Sequence, residues 1–234
     1  MKKILKVKPL SLGLLAVILL AGIIFSLIQI VRASYPTPPD PGHHYGEIVG
    51  LRDLQFYLRY GTGAPEVWYT APITGTALST GAPSANYLRA IPFITSRRIT
   101  LDRIAINVTT AATGYTRLGI YADGGNVYPG NLVIDAGQVD TGTTGVKSLT
   151  INVTLNPGLY WLVAVSNAAP TIRAFAVSSL IPVLGYGSGL GTAASLGYSV
   201  SYTYSTLPAT FPSGASLITA TPIPAIFVRL SSVD

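Results

Sequence analysis

Nine acidic side chains and two histidines are all that this 234-residue sequence offers for acid–base or metal chemistry, and it holds no cysteine. The histidines stand together as His43-His44. Adjacent residues of an extended chain point to opposite sides, so the pair does not make a two-ligand metal face. The sequence has no G-x-S-x-G elbow to present a serine nucleophile, and no phosphate loop, dinucleotide fingerprint or HExxH motif. Three carboxylates, Asp123, Asp135 and Asp140, lie near one another along the chain. Two carboxylates about 5–10 Å apart would suffice for glycoside hydrolysis. Asp123, however, opens Asp123-Gly124-Gly125-Asn126, where an aspartate serves to nucleate a turn, and Asp135 and Asp140 flank a strand end. These acids are therefore expected to be structural, no catalytic residue is assigned, and a wall-modifying hydrolase is the least favoured function. Asp123, Asn126 and Asp135 are the oxygen donors from which a calcium site would be built, the one cofactor the sequence leaves open.

A different chemistry is offered by the stretch Val183 to Tyr204, which is rich in tyrosine and glycine. Tyr186, Tyr198, Tyr202 and Tyr204 carry rigid amphipathic rings suited to carbohydrate or protein partners. The plainer alternative is a long surface loop leading into an edge strand. Asn107 and Asn152 each begin an N-x-T glycosylation sequon within an expected strand, although an outward-facing asparagine is equally ordinary in a sandwich.

The elements that would position these groups are strands. Only 10% of residues are charged, with 24 glycines and 17 prolines, and no long amphipathic run suits a helix. Expected strands cover Val67 to Ala71, Tyr87 to Thr95, Ile99 to Thr109, Thr116 to Tyr121, Leu132 to Gln138 and Ser148 to Leu155. Leu159 to Val165, Thr171 to Val177, Ser199 to Tyr204 and Ile226 to Leu230 follow. The alternation in Ile99 to Thr109 slips between Leu101 and Ile104, which predicts a bulge. Leu159 to Val165 is a nearly continuous apolar run, as in a strand buried on both faces. The expected architecture is all-β, a two-sheet antiparallel sandwich.

The amino terminus reads differently. Lys2, Lys3, Lys6 and Lys8 precede Leu10 to Val31, 22 residues without a charge. A helix of that length reaches roughly 33 Å, enough to span a hydrocarbon core, with the lysines left in the cytoplasm. Residues 1–33 are thus expected to be a signal or anchor segment with its helix at about 10–31. Residues 34–46 form a spacer stiffened by Pro36, Pro38, Pro39 and Pro41, and 47–234 the sandwich domain. Glu47 to Tyr60 suits either a short helix or a strand. Ala33-Ser34 would be the cut if the leader is removed.

The net charge of +6 belongs largely to that leader. From Ser34 onward 10 basic residues face 9 acidic ones, so the footprint of a nucleic-acid binder is absent. Absence of cysteine leaves packing, without disulfides, to hold the domain together.

Four segments, Ala90 to Ala111, Arg117 to Gly137, Thr144 to Ser166 and Leu207 to Pro212, closed by Ile226 to Leu230, resemble a domain of bacteriophage tail-fibre and related virion or prophage proteins. The resemblance implies a jelly-roll-like sandwich in an adhesive fibre, with exposed loops recognising surface polysaccharide and subunits often assembled as homo-oligomers. A membrane-spanning leader is foreign to tail fibres and turns the expectation toward a cellular surface protein. The sequence therefore points to a non-catalytic module of the cell envelope, anchored or secreted, that binds a surface glycan or an envelope protein. A structural subunit of an extracellular filament is the alternative, with the spacer Ser34 to Tyr45 as a donor arm.

Overall fold

The computed structural model describes residues 67–72, 78–176, 184–185, 195–219 and 222–233. The leader with its expected helix, the proline-rich spacer, Glu47 to Tyr60, His43, His44 and Tyr186 lie outside the described residues.

In chain order the strands are β1 (Trp68–Tyr69), β2 (Ser79–Gly81), β3 (Tyr87–Thr95), β4 (Ile99–Thr110), β5 (Tyr115–Asp123), β6 (Pro129–Asp140) and β7 (Gly145–Leu155). They continue with β8 (Gly158–Ser166), β9 (Thr171–Phe175), β10 (Tyr198–Ser201), β11 (Ser216–Leu217), β12 (Ile223–Pro224) and β13 (Phe227–Val233). They form two antiparallel sheets. The first contains β2–β9–β4–β7 as a continuous path, with β13 also on β4, β1 on β13 and β12 on β9. The second runs β11–β10–β3–β8–β5–β6. The described part is thus all-β with the character of a β-sandwich.

Alternation decides which residues meet between the sheets. On β4, Ile99, Leu101, Ile104, Ile106 and Val108 face inward and are buried. The expected slip falls at Asp102: Leu101 pairs with Leu230 and Arg103 with Arg229, leaving Asp102 as the extra residue against β13. A bulge there keeps both halves of the strand apolar-inward despite the break in period. Asp102 is used as well, since Arg229 donates to its two carboxylate oxygens at 2.8 and 2.7 Å. Opposite β4 stand Ile91 and Phe93 of β3, Leu118 and Ile120 of β5, and Leu162 of β8, all in the same core. Each such side chain contributes roughly 1.5–3 kcal/mol by leaving water.

The second sheet has a second buried face. Leu88, Ala90, Tyr121, Trp161, Val163 and Val165 point away from the sandwich core and pack under Leu207 and Phe211. For this reason β8 is buried on both sides from Trp161 to Ser166, as its unbroken apolar run requires. The strand expected at Ser199 to Tyr204 ends at Ser201. The amide of Tyr202 donates to the Asn86 carbonyl and that of Tyr204 to Asn86 Oδ1, so two amides converge on one residue and the ladder stops. Asn86 sits at φ +60, a left-handed conformation that asparagine tolerates.

Candidate functional site

Beyond Ser201 the chain becomes a strap over the outer face of the second sheet, and this strap carries Tyr202 and Tyr204. Among the hydrogen bonds that fasten it, three join its main chain to side chains of β5, β6 and the turn between them. Tyr121 donates its hydroxyl to the Pro208 carbonyl at 2.6 Å, Tyr128 to the Pro212 carbonyl at 2.6 Å, and the Leu207 amide donates to Asp135 Oδ2 at 3.0 Å. Rings pack beneath it edge to face, with Tyr121 and Phe211 centroids 5.5 Å apart and Tyr128 and Tyr198 4.7 Å apart. Burial pushes the Tyr121 phenol far above its ordinary value, with the nearby Tyr202 and Asp135 adding to the effect, so it remains a neutral donor.

Three of the four candidate tyrosines are described, and all three are half-buried against this face. Tyr198 donates its hydroxyl to the Val127 carbonyl at 3.0 Å and lies 5.4 Å from Trp161. Tyr202 donates to the Thr206 carbonyl, and Tyr204 to Gln138 Oε1 at 2.7 Å. Burial raises the Tyr204 phenol, while the Arg117 guanidinium beside it opposes the shift. The rings are therefore fixed in place, each with one side in the packing.

The carboxylates are occupied by the protein's own donors. Asp135 accepts from Arg117 Nη1 at 2.9 and 2.8 Å, from the Gly137 amide at 3.0 Å and from Leu207. Asp123 accepts from the Gly125 amide at 2.9 Å, closing the expected turn, and from Trp161 Nε1 at 3.1 Å. Asp140 accepts from the Gly142 amide at 2.8 Å. Asp135 pairs with Gly119, four residues from Asp123 along β5, or about 13 Å at ~3.4 Å per residue. Among the described residues no three His, Cys, Asp or Glu side chains gather as a metal site. Asn126 lies in the exposed turn between the two strands.

A cleft that the sequence reading missed opens at one end of the sandwich, between the two sheets. It is lined by Tyr87 and Arg89 of β3, Thr116 of β5, Ser166 of β8 and Ile172 of β9, with room for about one water molecule in its roughly 10 Å³. Arg89 Nη1 donates to the Ser84 carbonyl at 3.1 Å, and the guanidinium carbon lies 5.6 Å from the Tyr87 ring centre. Burial lowers the Arg89 pKa, partly offset by Tyr87. On the floor, the Thr116 and Ser166 hydroxyls bond to each other at 2.7 Å, both residues buried. These residues are 27 to 77 positions apart from Arg89, and only the strand pairing of β3, β8 and β5 joins them.

No protein-family model matches the chain, and no curated protein matches its sequence. The site must therefore be read from its own geometry.

Asn152 is exposed and Asn107 half-exposed, both on the outer side of the first sheet. Beside them, β7 pairs only with β4, so one side of an 11-residue strand is an open edge among the described residues.

Proposed function

We propose that the chain is a non-catalytic surface module, held outside a membrane by its N-terminal segment or released from it, whose sandwich binds surface glycan or an envelope protein as tail-fibre-like adhesion domains do. The observation that carries this reading is the tyrosine face of the second sheet. Tyr198, Tyr202 and Tyr204 keep part of each ring at the surface while their hydroxyls are already tied down. Rings held this way lose little freedom on binding, which is how stacking surfaces gain affinity. The near-neutral charge of the part after Ser34 suits uncharged polyhydroxy ligands.

A jelly roll is the fold we infer for this module. Supporting it, the paths β2–β9–β4–β7 and β3–β8–β5–β6 distribute eight consecutive strands between two sheets in the Greek-key manner of that architecture. Full-length protein in neutral detergent, applied to a glycan array and to envelope extracts, tests the function. Saturable binding is expected, weakened at least about tenfold by Tyr204→Ala at a temperature where circular dichroism shows the variant folded. Absence of binding to every glycan and envelope fraction would reject the adhesion reading.

The open edge of β7 favours a second reading, a filament subunit that pairs with its neighbour through that strand. Its eleven residues contain no proline, and Val146 is 63% exposed. Ordered polymers in electron micrographs would support it, and a strictly monomeric protein at high concentration would dismiss it.

A further inference from the structure

The tyrosine face leaves the cleft at the sandwich end unexplained. Its central group, Arg89, carries a full positive charge into a half-buried position, where ion pairing with an acid is the usual compensation. Among the described residues no carboxylate meets it: of its five N–H donors, one is directed at the Ser84 carbonyl. Arg117 and Arg229 behave otherwise, each holding an aspartate at 2.8 and 2.7 Å. Among the described residues the remaining edge of the Arg89 fork meets no acceptor and is open to a planar anion.

The surroundings narrow the ligand. Thr116 and Ser166 have two hydroxyl protons between them and spend one on their mutual bond, so the pair has a second proton to give to an incoming oxygen. Among the described residues that line the cleft, Arg89 is the single cation, which suits one negative charge better than a phosphate or sulfate ester. Its enclosed space takes about one water-sized atom, so it can seat a single carboxylate oxygen but no ring. At the rim stands Tyr87, 43% exposed, with apolar ring surface against which a sugar can stack.

We propose that this mouth is a carboxylate-binding subsite and that its ligand is an acidic saccharide, the carboxylate held by the Arg89 fork and the ring resting on Tyr87. The inference rests on the glycan-binding reading above, but places a charged subsite on a different part of the sandwich from the tyrosine face. A charge-assisted fork explains why an arginine occupies a position where most sandwich strands bring an apolar residue toward the core.

The test uses full-length protein in neutral detergent, titrated by calorimetry and saturation-transfer NMR with methyl glucuronide, methyl glucoside and acetate. The glucuronide is expected to bind at least about tenfold more tightly than either the glucoside or acetate, since each lacks one of the two contacts. Arg89→Met should abolish the preference for the glucuronide over the glucoside, Arg89→Lys should retain part of it, and Tyr87→Ala should weaken the glucuronide while leaving acetate unchanged. Should Arg89→Met not fold, Arg89→Lys and Tyr87→Ala decide the matter by the same ratios. Equal binding of the two glycosides, or acetate binding as tightly as the glucuronide, overturns the proposal. Neutral glycans bound independently of Arg89, with no glucuronide preference, would overturn this subsite and leave the surface-module reading standing. Failure to bind any glycan on the array and the glucuronide alike would remove both.

Discussion

Replacing Asp135 by asparagine keeps the shape of the side chain and removes the charge on which the strap depends. In the native protein its two oxygens accept from Arg117, from the Gly137 amide and from the Leu207 amide. An asparagine has one acceptor oxygen, and its amide group would meet donors where the second oxygen stood. Arg117 would also lose its only acidic partner among the described residues, with its Nε already buried and unbonded. Breaking a buried pair from one side costs about 3–5 kcal/mol, and an exposed pair is worth about 0–1 kcal/mol. These side chains are 16% and 20% exposed, so an intermediate loss of about 2–3 kcal/mol is expected. At about 2–4 °C per kcal/mol for a domain of this size, the melting temperature should fall by roughly 4–12 °C. Urea unfolding followed by tryptophan fluorescence would measure it, because Trp161 lies under the strap, and the midpoint should shift with little change in slope. Arg117→Met should cost less in the Asp135→Asn background than in the native one, as coupled partners do. A loss below about 0.5 kcal/mol for Asp135→Asn would refute the idea that this carboxylate holds the strap.

Other perturbations follow from the same geometry. Gly119→Ala would place a Cβ 2.3 Å from Leu207 Cδ1 and 2.6 Å from the Ile134 carbonyl oxygen, so it should destabilise by about 2–3 kcal/mol in denaturant titration. Val127 stands at φ +55, a conformation costly for a β-branched residue, and it is exposed. Val127→Asn should therefore stabilise by about 1 kcal/mol, read as a higher melting temperature. The Arg229 hydrogen bonds hold the Asp102 carboxyl below its ordinary value, helped by the charges of Arg229 and Arg103 and opposed by burial. Because the folded value is the lower one, this stabilisation is complete above the unfolded value of about 3.9 and is lost as pH falls through the folded value. Asp102→Asn should accordingly be less stable than the native protein at pH 7, and the gap should narrow below about pH 4 in acid-unfolding curves. With Asp123 and Asp135 committed to protein donors, saturating calcium and excess chelator should give the same melting temperature.

Much of the sandwich was legible because its strands are long and alternate cleanly. Tyr87 to Thr95 coincides with β3, and the slip between Leu101 and Ile104 brackets the bulge at Asp102. The strands β2, β11 and β12 have two or three residues each, too few to show any period. The Asp123 turn was readable from its own residues, since an Asx bond closes over two positions. The partners of Asp135 could not be read this way: Leu207 is 72 residues distant and donates a backbone amide, which any residue type would supply. Nor could the cleft be anticipated, as Arg89, Thr116 and Ser166 become neighbours only through pairing across β3, β8 and β5. Tyr202 and Tyr204 lie beyond the end of β10, although the alternation places them in it, because the Asn86 contacts that end the strand lie more than a hundred positions away in sequence.

Separation of the two cores bears on how the proposed binding module could change its ligand. The inner core, between the sheets, is built from aliphatic side chains on paired strands and determines the frame. The outer core mixes aromatic with aliphatic side chains and is closed by a strap held through main-chain groups, among them the Pro208 and Pro212 carbonyls and the Leu207 amide. Main-chain fastening does not depend on the side chains the strap presents to solvent. Substitutions at exposed strap positions such as Thr203, Ser205 and Thr206 can therefore alter the surface without disturbing the contacts that seat it. Arg89 is in the opposite situation, because it projects from β3, a strand central to the second sheet, and its position is set by the frame itself. The charged subsite proposed at Arg89 and the proposed aromatic surface, on different parts of the sandwich, would then combine one constant element of recognition with a variable one.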